Sequence, residues 1–193
     1  MKKMISFFAE MNLPNKLTML RIALVPVYLL LVPHYGGWSF LALIVFIIAS
    51  LTDLLDDRIA RKYHLVTNFG KFMDPIADKL LTHTAFIMLT AMGRLNVVVC
   101  IIFIAREFVV SGLRLVAVEQ GRGIAAGMSG KIKTVLQMAL VIVLTFQSVL
   151  FVTNDWSSMQ PLVNLLTFAA AAMTLYSMVE YVWQNRAVLG GAR

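Results

Sequence analysis

Charge and cysteine are what this chain has least of. Only 14% of its 193 residues are charged and 60% are hydrophobic, too little polar surface to clothe a soluble domain of this length. The one cysteine, Cys100, lies inside an apolar run, so no intrachain disulfide can form. His34, His64 and His83 are scattered with no partner at ligand spacing, which leaves them loop or packing roles. No internal repeat and no low-complexity linker interrupts the chain, so residues 1–193 read as one domain. Nor does Met1 to Asn12 read as a signal peptide: Glu10, Asn12, Pro14 and Lys16 break it up, and no small-residue cleavage site follows.

What is present is a series of apolar runs, several long enough to cross a bilayer, which takes roughly 20 residues. They predict an all-α, polytopic membrane helical bundle with six transmembrane helices. The expected spans are Leu17–Pro33, Ser39–Asp57, Pro75–Met92, Asn96–Val118, Ile132–Val152 and Pro161–Trp183. Turn residues at Pro33 to Gly37, Gly93, and Gly121 to Gly130 separate several of them. Ahead of the first span, Ile5, Phe8 and Met11 recur near helical spacing and predict a short interfacial helix within residues 1–16. Trp38, Trp156 and Trp183 fall near span ends, as interfacial anchors do, and Ala169 to Ala172 would permit close helix approach.

The net charge of +7 does not indicate nucleic acid, because the basic residues sit in short stretches beside apolar runs. That distribution suits anionic lipid and the orientation rule. Lys2, Lys3, Lys16, Arg21, Arg58, Arg61, Lys62, Lys71, Lys79, Arg106, Arg114, Arg122, Lys131, Lys133, Arg186 and Arg193 gather on one side of the six-span layout, some of them inside spans, and Arg94 falls on the other. Both termini are therefore expected in the cytoplasm, with the chain in a bacterial cytoplasmic (inner) membrane.

One stretch carries chemistry. Asp53 and Asp56 stand three apart near the end of the second span; Asp74 and Asp78 stand four apart at the start of the third. If helical, each pair presents its carboxylates on one face, and a short loop lets the faces meet. Four carboxylates at a membrane helix end repel one another unless a cation compensates. Oxygen-only donors favour Mg²⁺ or Mn²⁺, with Ca²⁺ a competitor. Two such ions could bridge a diphosphate, and a carboxylate left partly free could take a proton from an attacking hydroxyl. The plainer alternative is a set of solvated helix ends pairing with Arg58, Arg61, Lys62, Lys71 and Lys79. Arg106, Arg114 and Lys131 are cations in or beside apolar spans, costly there without an anion to bind. A phosphate is one such anion; pairing of Arg106 with Glu107 is the alternative.

At these residues the sequence resembles the CDP-alcohol phosphotransferase family, whose pattern is D-x-x-D-G-x-x-A-R, eight residues, then G-x-x-x-D-x-x-x-D. Asp53, Asp56, Ala60, Arg61, Gly70, Asp74 and Asp78 are all in register. Asp57 stands where the family has its first glycine, adding bulk and negative charge on the diphosphate side. Asn12 to Thr18 with Arg21, Asn68 to Lys79, Ala105 to Arg114 and Gly130 to Thr134 are most similar to the branch that joins CDP-diacylglycerol to sn-glycerol 3-phosphate, releasing CMP. The resemblance implies two divalent ions held by Asp53, Asp56, Asp74 and Asp78, with Asp78 as general base. It implies a nucleotide and diphosphate side lined by Asn15, Thr18, Asp57, Ala60, Arg61 and Gly70, and an acceptor phosphate on Arg106, Arg114 and Lys131. Membrane lipids and, as in similar proteins, a homodimer partner are implied as well. A cardiolipin or phosphatidylinositol phosphate synthase, a cation transporter and an inactive relative remain the competing readings.

Overall fold

The computed structural model describes residues 11–63, 67–125, 127–150 and 155–190, without the side chains at 53–62, 68, 71, 155, 156 and 189. Every regular element among them is helical. In chain order these are α1 (Leu13–Leu31), α2 (Gly37–Lys62), α3 (Asn68–Ala91), α4 (Val97–Glu119), α5 (Met128–Leu150), a 3₁₀ turn (Asp155–Met159), α6 (Gln160–Gln184) and the short α7 (Arg186–Leu189). The interfacial helix expected within residues 1–16 lies, as far as residue 10, outside the described residues. From Leu13 onward that segment belongs to α1.

Two helices begin earlier than the apolar runs suggest, and capping explains both. Asn12 accepts the Asn15 N–H at 3.2 Å, and Pro14, which has no N–H to satisfy, occupies the first turn. Helix α1 therefore opens at Leu13 instead of Leu17. Thr67 accepts the Gly70 N–H at 3.0 Å, so α3 opens at Asn68 and Pro75 lies within it. The polar first turn of α3 made hydropathy a poor guide to its start.

The ends of α3 and α4 repeat one device. Gly93 and Gly121 have φ near +71°, open to glycine without steric cost. The Gly93 and Arg94 N–H groups bond Thr90 and Leu89 carbonyls; those of Gly121 and Arg122 bond Val118 and Ala117. These paired back-bonds satisfy carbonyls that a helix end otherwise leaves open.

The chain forms two compact units, residues 1–88 with 145–154 and residues 89–144 with 155–193. In the first, α1 packs along α2, burying Val25, Tyr28 and Val32 with Ala42, Phe46 and Ala49. The Tyr28 and Phe46 rings lie 5.7 Å apart, and the Tyr28 hydroxyl meets Thr145 Oγ1 at 3.3 Å. In the second, α4 packs along α6, and Val110, Leu113, Ala117, Tyr181 and Val188 form an apolar cluster. Gln137 of α5 donates to Thr174 of α6 at 3.1 Å, a buried polar tie of the kind that joins helices in lipid.

Many large apolar side chains face outward, among them Leu30, Phe108, Phe168 and Trp183, an arrangement suited to a lipid surround. Among the described residues, three helical stretches are long and apolar enough to cross a membrane: Leu13–Leu31, Met128–Leu150 and Ser157–Gln184. The other three long helices carry Asp53 to Lys62, Asp74 to Lys79, and Arg106 to Arg114. Such charges are costly in hydrocarbon unless paired or held at its edge. Three spans are thus supported by composition, half of the six expected.

Candidate active site

In the first unit, α1 presents Pro14, Asn15, Thr18, Arg21, Val25 and Tyr28 as its buried stripe. The spacing follows helix periodicity, yet Asn15, Thr18 and Arg21 are polar, which is affordable only if each finds a partner. Thr18 finds Asp74: its Oγ1 stands 2.6 Å from Oδ1 of that carboxylate and 3.2 Å from the Pro14 carbonyl. A hydroxyl has one proton to give, and the shorter, charge-assisted contact is the stronger claim on it. Asp74 and Asp78 both lie in α3, four residues apart, so the helix places them on neighbouring turns of one face. Both are half-buried.

Gly70 is the point where α3 comes against α1. A Cβ there would stand 3.0 Å from Asn15 Oδ1, 3.3 Å from Thr67 Oγ1 and 3.4 Å from Asp74 Oδ2. Glycine is needed at this position for close approach, not for an unusual backbone angle. Asn15 in turn accepts a hydrogen bond from the Thr67 hydroxyl at 3.1 Å. Asn15, Thr18, Gly70 and Asp74, all singled out from sequence, are therefore brought together. Thr18, expected on the nucleotide side, has its hydroxyl on the carboxylate. Asp53, Asp56, Asp57, Ala60 and Arg61 fall on α2, and their side chains lie outside the description.

Among the described residues no group of three or more His, Cys, Asp or Glu side chains gathers. The donors that are described nonetheless have the chemistry of a hard-cation site: carboxylate oxygens, with Asp74 oriented through Oδ1 by a neutral hydroxyl. A hydrogen bond of this kind fixes the direction of the carboxylate. The Asp74 carboxylate retains further lone pairs after accepting it.

The second unit holds a separate charged cluster. Arg106 belongs to the buried stripe of α4, with Cys100, Phe103, Val110, Leu113 and Ala117. Its Nη1 pairs with Glu107 Oε1 at 2.9 Å and its Nε donates to Ser177 Oγ at 3.3 Å. The Lys133 ammonium pairs with the same Glu107 oxygen. Two cations thus share one carboxylate in a largely buried setting. Gly130 gives the guanidinium room, since a Cβ there would stand 3.1 Å from Arg106 Nη2. Arg106 thus has the Glu107 partner foreseen as the alternative to phosphate binding, and shares it with Lys133.

Arg114 and Lys131 are exposed and take no part in that cluster. Lys133 was not singled out from sequence, though a signal existed. Lys133, Gln137, Leu140, Val141 and Leu144 are all buried at helical spacing, so Lys133 lies on the inward stripe and Lys131 does not.

Comparison with known proteins matches these features. The chain is 40% identical over 187 residues to a CDP-diacylglycerol–glycerol-3-phosphate 3-phosphatidyltransferase of Bacillus subtilis, covering 90% of this chain and 95% of that one. It is 35% identical to the protein so named in Escherichia coli, over 93% and 98% of the two chains. A third of that name, from Rickettsia prowazekii, is 43% identical over 72% of this chain and 77% of its own. The family model for CDP-alcohol phosphatidyltransferases matches residues 11–183, across both units. With Asp74, Asp78 and Gly70 on the helix and in the register that the resemblance calls for, the chain belongs to the CDP-alcohol phosphatidyltransferase family.

Proposed function

We propose that this protein transfers the phosphatidyl group of CDP-diacylglycerol to sn-glycerol 3-phosphate, giving phosphatidylglycerophosphate and CMP. The observation that carries this reading is the near full-length likeness to the Bacillus subtilis and Escherichia coli phosphatidyltransferases, whose names state that reaction.

Asp53, Asp56, Asp74 and Asp78 would hold two Mg²⁺ or Mn²⁺ ions, which when bound would grip the diphosphate and offset charge on the departing CMP. Asp78 accepts the proton of the attacking glycerol hydroxyl. That hydroxyl oxygen bonds to the lipid-bearing phosphorus as the bond from the phosphorus to the CMP oxygen breaks. Thr18 keeps Asp74 aimed. Arg61 steadies the diphosphate, Asn15 serves the nucleotide side, and Ala60 and Gly70 leave space. Arg106 and Lys133, sharing Glu107, supply positive charge suited to the acceptor phosphate, with Arg114 and Lys131 adding to the field.

The setting follows from the substrates. Acyl chains stay in lipid while nucleotide and glycerol phosphate arrive from water, so the site belongs at one membrane face. We place it on the cytoplasmic side of a bacterial inner membrane, with six spans, both termini inside and a homodimer as the assembly. The Lys and Arg asymmetry supports the orientation, and the six long helices α1 to α6 are the candidates for the spans, three of them apolar enough by composition. The exposed Trp183 ring, with the Arg186 guanidinium 4.8 Å from its centroid, suits an interfacial end of α6.

The experiment is an acceptor comparison on purified protein with CDP-diacylglycerol. Product should form with sn-glycerol 3-phosphate and not with phosphatidylglycerol or inositol phosphate. Preference for either of the latter would move the protein to another branch of its family.

A further inference from the structure

Thr67 lies in the stretch between Arg61 and Gly70 that the family pattern leaves unspecified, yet its hydroxyl is used twice. It accepts the Gly70 N–H at 3.0 Å and donates to Asn15 Oδ1 at 3.1 Å. We propose that Thr67 is a positioning residue for the nucleotide side of the site: it locks the Asn15 carboxamide in one orientation and presents the amide N–H donors to the cytidine diphosphate. This rests on the reading of Asn15 as a nucleotide-side residue.

A carboxamide can be turned either way, offering an acceptor on one side and two donors on the other. Here the choice is made by Thr67. The Gly70 N–H, fixed by the first turn of α3, occupies an acceptor site on the hydroxyl oxygen. The hydroxyl proton goes to Asn15, so the group facing Thr67 is the carbonyl oxygen and Nδ2 is directed away from it. Asn15 is 7% exposed, and a buried carbonyl without a donor would be costly, so the pairing holds the amide in place. The lock has a second wall. Asn15 Oδ1 and Asp74 Oδ2 flank the same point above Gly70, 3.0 and 3.4 Å from where a Cβ would stand. Asn15 is thus held beside a carboxylate expected to help hold the ions that would grip the diphosphate.

The chemistry of the ligand agrees. Phosphate oxygens, the ribose oxygens and the carbonyl of cytosine are acceptors, and an amide that presents N–H groups is complementary to them. One that presented its oxygen would repel phosphate. Thr67 therefore serves affinity for the nucleotide donor and has no direct part in binding glycerol phosphate.

The test uses the full chain in mixed micelles and compares wild type, Thr67→Val, Thr67→Ser, Asn15→Ala and the double variant Thr67→Val/Asn15→Ala. Loss of one hydrogen bond that orients another group should raise KM for CDP-diacylglycerol about tenfold in Thr67→Val. KM for glycerol 3-phosphate should move less than about twofold, and Thr67→Ser should restore the wild-type value. In the Asn15→Ala background, Thr67→Val should add less than about twofold, because its effect runs through that amide. Binding of CMP by equilibrium dialysis should weaken in parallel and recover in Thr67→Ser.

Additive effects in the double variant, failure of Thr67→Ser to rescue, or equal changes in both KM values would overturn the proposal. Should wild type fail to use glycerol 3-phosphate, the functional reading is what fails. CMP binding then decides the role of Thr67 alone: unchanged affinity in Thr67→Val refutes it. An unfolding midpoint for each variant separates lost capping of α3 from lost positioning, since Asn15→Ala keeps the cap and should still weaken CMP.

Discussion

Replacing Glu107 by Gln removes one negative charge and almost no volume from a place where two cations depend on it. The Arg106, Glu107 and Lys133 side chains are 8%, 17% and 5% exposed, and Arg106 Nη1 lies 2.9 Å from the shared oxygen. At that separation, and an effective dielectric near 20, the Arg–Glu attraction alone is about 6 kcal/mol before desolvation. Breaking a buried pair typically costs about 3–5 kcal/mol net, and polar ties between membrane helices often measure less. The lower figure, about 3 kcal/mol, applies here, because Gln can still accept from Arg106. The folded fraction should fall a little over about a hundredfold relative to the unfolded one.

Titration from mild detergent into dodecyl sulfate measures this directly. The double variant Glu107→Gln/Lys133→Met should be more stable than Glu107→Gln alone, because it removes one of the two cations that Glu107 offsets. Should Glu107→Gln lie within about 0.5 kcal/mol of wild type, or the double variant be the less stable of the two, Glu107 is not what holds these cations.

Three further outcomes follow from the first unit. Thr18→Val removes the donor to Asp74, a charge-assisted bond of about 1.5–3 kcal/mol, so turnover should fall about 10- to 100-fold. The Mg²⁺ concentration for half-maximal rate should rise with it, and a rate curve against Mg²⁺ checks both. Gly70→Ala puts a Cβ 3.0 Å from Asn15 Oδ1; turnover should drop while a circular dichroism spectrum stays helical. Asp57→Gly removes a negative charge from the diphosphate side and should raise kcat/KM for CDP-diacylglycerol.

How legible these features were depended on whether the physics was local. The i, i+4 pair Asp74 and Asp78 could be placed on one face because helix periodicity alone sets it. The starts of α1 and α3 were misplaced at Leu17 and Pro75 because hydropathy reports burial in lipid and is blind to a polar first turn. Asn12 and Thr67, the capping residues, carried that information. The Thr18–Asp74 contact joins residues 56 positions apart and depends on how α1 meets α3, which no spacing reveals. Lys133 differs from Lys131 in lying on the buried stripe continued by Gln137 and Leu144, a distinction that charge and family likeness do not draw. Arg106 was readable for the same reason: it shares its face with Phe103, Val110 and Leu113.

The account turns on aspartates that use divalent ions to move a phosphatidyl group onto glycerol phosphate. Its most direct measurement is CMP release by the purified protein from CDP-diacylglycerol and sn-glycerol 3-phosphate, with and without Mg²⁺ or Mn²⁺, alongside Asp78→Asn. The expected result is turnover that needs both acceptor and ion, vanishes on chelation, and is lost in Asp78→Asn. Near-normal turnover in chelator or in Asp78→Asn would contradict it.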